Sequence, residues 1–211
     1  MSALDTSRNE GLPIGLYDND DDLLAAAQPR VRISRPSRIE VVLGSGSRPH
    51  LELNIQDCLA DQVPLTRRAG GGCSVVLDPG NLVVSVVLPA EGLPGIRSSF
   101  NALSSWMIAG LVACGLPNVQ QRGTSDLTID DRKIGGSCIY KPRAVFYYST
   151  TLLVDADSTA GPLSQTPATR AGLSRTTTHA EFVLELRQRG GVAIEAPQAR
   201  LQDVLTIPSL P

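Results

Sequence analysis

Apolar positions in this chain follow two rhythms. From Ser98 to Cys114 they recur at helical spacing, with Phe100, Leu103, Ile108, Leu111 and Val112 on one stripe, until Gly115 and Pro117 end the run. Elsewhere the apolar residues come in short β-branched runs bounded by turn formers, which predicts strands. Val31 to Arg38 and Ile39 to Leu43 read as extended segments around Pro36. Leu65 to Arg68, Cys73 to Leu77 and Leu82 to Leu88 follow, and the turn Asp78-Pro79-Gly80-Asn81 between the last two predicts a hairpin. Asn118 to Arg122, Leu127 to Ile129, Lys133 to Tyr140 and Ala144 to Val154 predict four more strands. Asp20 to Asp22 make an acidic start to a short helix over Leu23 to Ala27, and Leu53 to Gln62 reads as another. Residues 157–177, rich in Ser, Thr, Pro and Gly, read as a surface loop. Helices are expected over His179 to Arg189 and Pro197 to Leu205, with Gly190-Gly191 between them. Residues 1–19 are expected to form a flexible N-terminal arm and 20–211 a single domain. Mixed strands with flanking helices place the chain in the α+β or mixed α/β class.

Composition narrows the function classes. The chain has 211 residues, 42% hydrophobic and 19% charged, which suits a globular domain with a core of its own. A net charge of −2 removes a broad electrostatic case for nucleic acid. No apolar run reaches the roughly 18 residues of a membrane span, and the first residues lack the apolar core of a secretion signal. Cys58, Cys73, Cys114 and Cys138 show no paired spacing, and only His50 and His179 could join them, so a zinc or disulfide framework is poorly supported. Four free thiols fit a reducing cytoplasm.

Of the 19 basic residues 17 are arginines, so Lys133 and Lys141 are rare choices of a compact cation over a planar fork. Lys133 opens the run Lys133-Ile134-Gly135-Gly136-Ser137. Strand alternation predicts that it shares a face with Gly135 and Ser137, while Ile134, Gly136 and Cys138 take the other. A cation beside such small neighbours suits an acyl carbonyl or a phosphate. Asp126 and Asp130-Asp131 flank the strand; Asp126 could hold a metal or a ribose hydroxyl, and the pair reads as a solvated turn. A second constellation, Arg67-Arg68-Ala69-Gly70-Gly71-Gly72, joins two fixed charges to a loop whose backbone N–H groups could line an anion. It lacks the Gly-Lys-Ser/Thr of a nucleotide P-loop. A β-bulge with an exposed turn is the other reading. Cys73 and Cys138 abut the two glycine motifs, but no base is placed beside either, so each reads as a small buried hydrophobe.

In order, these motifs resemble the lipoate–protein ligase family, within the biotin- and lipoate-ligase-like superfamily. The resemblance rests on Glu52-Leu53-Asn54, Val63-Pro64, Arg67-Arg68, Gly70-Gly71-Gly72 and Asp78-Pro79-Gly80-Asn81. It continues through Ser125-Asp126-Leu127, Asp130 to Ser137 and Tyr148 to Leu153, and covers about residues 20–160. It implies a central mixed β-sheet plus a smaller sheet with flanking helices. It also implies activation of lipoate or octanoate by ATP to an acyl-adenylate, with transfer to a lysine of a lipoyl domain or a glycine cleavage H-like protein. Lys133 would then contact the carboxyl and α-phosphate oxygens. Arg67, Arg68, Gly70, Gly71, Gly72, Gly135, Gly136, Ser137 and Thr151 would line the substrate and nucleotide sites, and Asp126 would lie near the phosphates or Mg²⁺. Three departures stand out. The family's paired histidines are Tyr148 and Ser149, and the arginine often found after the early Val-Leu-Gly is Ser45. The chain also ends soon after the catalytic region, which implies a separate accessory subunit, a dedicated acceptor, or transfer from a preformed adenylate. Two alternatives are an octanoyl- or lipoyltransferase acting without ATP and a non-catalytic lipoyl-adenylate-binding partner of a lipoylation complex. The first expects a downstream cysteine, and none follows Cys138.

Overall fold

The structure, a computed structural model, describes residues 9–155 apart from 27, 92, 94 and 143, together with residues 195–206. The expected loop over 157–177 and the helix expected from His179 lie outside the described residues. In chain order the elements are β1 (Ile14–Leu16), α1 (Asp21–Ala26), β2 (Arg30–Ser34), β3 (Glu40–Leu43), α2 (Pro49–Glu52) and α3 (Ile55–Ala60). Then come β4 (Leu65–Arg67), β5 (Val75–Leu77), β6 (Asn81–Pro89), α4 (Ile96–Ala113), β7 (Gln120–Arg122), β8 (Asp126–Ile129), β9 (Arg132–Tyr140), β10 (Val145–Leu153) and α5 (Glu195–Val204). They form an α+β fold of two sheets, ordered β1-β4-β3-β5 and β2-β6-β10-β9-β8-β7. The larger sheet is antiparallel throughout; mixed pairing is confined to the smaller one, where β4 runs parallel to β1 and β3.

Strand β6 shows why the sheets stack. Asn81 to Leu88 are all buried, a run without amphipathic alternation, because both faces are covered. Leu82, Val84 and Val86 meet Phe100, Leu103, Met107 and Leu111 of α4 and Leu201 of α5. Val83 faces the other way, against Val42 and Leu77 of the smaller sheet. At about 2 kcal/mol for each fully buried large side chain, this packing rather than propensity holds α4, which carries Gly110 and two β-branched residues in its second half. Gly110 is where α5 approaches: an added Cβ would lie 2.4 Å from Leu205 Cδ2. Val112, expected on the apolar stripe, is exposed, and Met107 fills the core in its place.

Three expectations change. The turn at Asp78-Pro79-Gly80-Asn81 is present, but β5 and β6 pair in different sheets, so it is a crossover and not a hairpin. The Asp78 carboxylate accepts the Gly80 N–H at 2.5 Å, and Gly80 lies so close to Asp155 that an added Cβ would be 1.9 Å from its carbonyl oxygen. That clamp turns the chain between layers. The helix expected over Leu53 to Gln62 is interrupted at its start, because Leu53 is extended (φ −124°, ψ 148°) and buried in the small-sheet core. Within the stretch read as an arm, Ile14–Leu16 is an edge strand paired with β4, since its apolar Ile14 packs on the same core. Among the described residues no helix is long and apolar enough to cross a membrane.

Candidate active site

The β8–β9 hairpin closes on Asp130 and Asp131, both at positive φ (49° and 62°), the left-handed pair that matches strand twist and that short acidic side chains tolerate. One residue past Lys133 the ladder slips: Leu127 pairs with Gly135 but Thr128 with Lys133, leaving Ile134 as an extra residue. Such a bulge reverses the alternation. Ile134 is buried in the core beneath α4, and Lys133 turns to the opposite face, shared with Asp126 and Gly136. An added Cβ on Gly136 would lie 3.3 Å from both Lys133 Cε and Nζ, so the lysine stem rests on that glycine. Its ammonium pairs with Asp126 at 2.8 Å. Thr151 of β10 stands directly opposite Gly136.

The expected grouping of Lys133 with Gly135 and Ser137 is therefore corrected. Ser137 Oγ lies 3.0 Å from Tyr148 Oη and 2.9 Å from Thr150 Oγ1, on the core side. Gly135 packs closely on β10: an added Cβ would meet the Thr151 carbonyl at 2.6 Å. The physical reason is the single extra residue, which composition does not mark.

The glycine triplet is stapled rather than loose. Arg68 donates from Nη2 to the Gly71 and Cys73 carbonyls at 2.9 and 2.8 Å and from Nη1 to Val42 at 3.1 Å. Gly70 lies flat on β9, where an added Cβ would be 3.3 Å from the Ile139 carbonyl and 3.4 Å from Cys138 Sγ. Cys138 is two residues from Gly136, about 7 Å along the strand, so the loop and the lysine share one face of the larger sheet. Gly71 has open space above it, and Gly72 takes a positive φ of 92°. Gly44 must be glycine: a Cβ would strike the Gly72 carbonyl at 1.9 Å.

Arg67 does not join this group. It is buried, with Nη1 donating to the Gly44 and Ser47 carbonyls at 2.8 and 3.0 Å and Nε to Asn9 Oδ1 at 3.0 Å. Its fork builds the loop that supports the triplet. Burial pushes the Cys138 thiol up despite the Arg68 guanidinium beside it, which disfavours a thiolate nucleophile.

Two residues absent from the expected site matter to it. Glu52 is buried and accepts the Ser74 N–H and hydroxyl at 2.7 and 2.8 Å and the Ser47 hydroxyl at 2.9 Å, tying both flanks of the glycine loop together. Burial raises its pKa, but these donors outweigh that and hold it below the ordinary carboxylate value. Asn81 is fully buried, and neither atom of its amide has a hydrogen-bond partner among the described residues. By alternation from Val83 it faces the smaller sheet. Both residues belong to the motifs Glu-Leu-Asn and Asp-Pro-Gly-Asn, the signal that could have brought them forward.

Over residues 23–194 the chain matches the family described as the lipoyl protein ligase A/B catalytic domain. It belongs to that family. Among curated relatives it is 29% identical over 119 residues to the probable lipoate-protein ligase A of Mycoplasma pneumoniae, a match spanning 56% of this chain and 34% of that protein. The chain thus matches about a third of that relative's length. In fold it resembles the bi-partite lipoate protein ligase of Thermoplasma acidophilum, solved in a study that included its E2 lipoyl domain. That likeness has a TM-score of 0.74 and 21% identity, and covers 88% of this chain and 74% of that one. A lipoate-protein ligase A bound with ATP is similar at TM-score 0.71 and 21% identity, covering 86% and 74%.

Proposed function

We propose that this lipoyl protein ligase catalytic domain activates lipoate, or octanoate, with ATP. The acid's carboxylate oxygen would attack the α-phosphorus, the bond to the β,γ-phosphates would break, and pyrophosphate would leave. An acceptor lysine amine would then attack the acyl carbonyl, releasing AMP and a proton. The observation that carries this reading is Lys133, whose ammonium lies on the Gly136 shelf, on the face that the Gly70–Gly72 loop also covers. A compact cation there suits charge that develops on carboxyl and phosphate oxygens. Gly71, with open space above it, and the buried Asn81 amide, without a hydrogen-bond partner among the described residues, support a polar ligand. Thr151 is proposed as a substrate contact, and Arg68 as the brace of the loop. Among the described residues no group of three or more His, Cys, Asp or Glu could hold a metal by itself, so Mg²⁺ would come with the nucleotide phosphates, with Asp126 the carboxylate beside them. The proposed acceptor is a lipoyl domain or glycine cleavage H-like protein. The bi-partite relative supports a separate accessory subunit.

Incubation with lipoate and ATP should release pyrophosphate and yield lipoyl-adenylate by mass spectrometry. A second reading is a domain that binds preformed lipoyl-adenylate. It is favoured by Tyr148, which replaces a family histidine and is buried on the core side, where it cannot reach the lysine's face. Tight binding of added lipoyl-adenylate without its synthesis would select that reading; binding of neither substrate nor adenylate would overturn both. A cysteine-thioester transferase is disfavoured by the raised Cys138 thiol.

A further inference from the structure

Asp126 opens β8 and stands opposite Gly136 in the ladder. The bulge at Ile134 brings Lys133 back over the same glycine, and the two charges meet at 2.8 Å, with side chains 16% and 30% exposed. Gly136 is the floor of both: an added Cβ would lie 3.3 Å from Lys133 Nζ and 3.7 Å from Asp126 Oδ1. Among the described residues Asp126 belongs to no group of three or more His, Cys, Asp or Glu side chains, and its carboxylate is engaged by the Lys133 ammonium.

We propose that Asp126 is the exchangeable counter-ion of Lys133, a positioning residue that holds the ammonium over Gly136 and yields it to an arriving carboxylate or phosphate. This rests on the proposed function for its ligand but on the ion pair for its geometry. A partly exposed pair is weak enough to exchange. An anion that reaches the ammonium must also come near the Asp126 carboxylate, and like charges repel. Removing that negative charge should therefore tighten anion binding while leaving the lysine less well aimed. A metal-ligand role predicts the reverse for binding.

The test uses the full chain, Asp126→Asn, Asp126→Glu, and a lipoyl-sulfamoyl adenosine mimic of the acyl-adenylate. Calorimetry at low salt should show Asp126→Asn binding the mimic about three- to tenfold tighter than wild type, with the gain shrinking as salt rises. Its pyrophosphate-release kcat should fall, a split between binding and turnover that a merely structural role would not give. Asp126→Glu should return both toward wild type. Unchanged or weaker binding by Asp126→Asn, or a defect relieved only by more Mg²⁺, overturns the proposal. If wild type neither binds the mimic nor releases pyrophosphate, the proposed function fails, and inorganic phosphate titrated against the Lys133 side-chain NMR signal decides the counter-ion role. Phosphate should shift that signal at lower concentration in Asp126→Asn; equal titrations overturn it.

Discussion

Arg67 and Arg68, at the end of β4 in the smaller sheet, and Lys133, on β9 of the larger one, are used in opposite ways. The arginines are saturated by backbone carbonyls: Gly44 and Ser47 for one, Val42, Gly71 and Cys73 for the other. Among the described residues Lys133 has one carboxylate partner, Asp126, and it remains partly exposed. A planar fork with five donors is suited to tying a loop together, and a point charge on a flexible stem to meeting something that arrives. Here the fixed guanidiniums are architectural, and the partly exposed ammonium is not used that way.

The division can be broken most sharply with Lys133→Ala. Adenylate formation should fall about 10²–10³-fold, the scale for loss of one preorganised charge-stabilising donor, while the denaturant midpoint barely moves. If turnover survives, the lysine is not the mobile charge. Arg67→Ala should do the converse, lowering stability by about 3 kcal/mol because two buried carbonyls lose their donor, measured by urea unfolding. A smaller effect should follow from Glu52→Gln. The folded-state pKa of Glu52 is lowered, so its contribution is complete above its ordinary value near 4.5 and is lost as pH falls through the folded value beneath it. The wild type should lose stability over that acid window, and Glu52→Gln should be less stable at neutral pH and flatter with pH. Last, Ser137→Ala should cost about 1 kcal/mol or less and leave the KM for the acid unchanged, because its hydroxyl faces Tyr148. A raised KM would return Ser137 to the pocket side.

Much of this was legible from residues alone. The strands from β6 onward, the long α4 and the Asp130-Asp131 turn follow from β-branched runs, helical spacing and turn chemistry. The two glycine motifs and Lys133 are the sequence features from which the candidate site is built, and the fold brings them onto one face of the larger sheet. What escaped was of a different kind. Alternation gives a side chain's face only if the register never slips, and nothing in Lys133-Ile134-Gly135-Gly136 announces the extra residue that reverses it. The Asp78–Asn81 turn is present but the hairpin expected from it is not, because the next strand joins the other sheet, where Gly80 lies against Asp155, 75 positions away. Arg67 and Arg68 looked alike as neighbours, yet strand alternation sends one into the Gly44–Ser47 loop and the other over the glycine triplet.

The slip at Ile134 also sets what β9 can lose. Lys133 keeps its place opposite Thr128, on the face of Asp126 and Gly136, while the ladder takes up Ile134 as an extra residue. Deleting one residue of the pair Ile134-Gly135 would leave Lys133 two positions before Gly136, and plain alternation would put both on one face. The extra residue is therefore spare for the lysine's aim: a β9 shorter by one would present the same ammonium on a regular ladder.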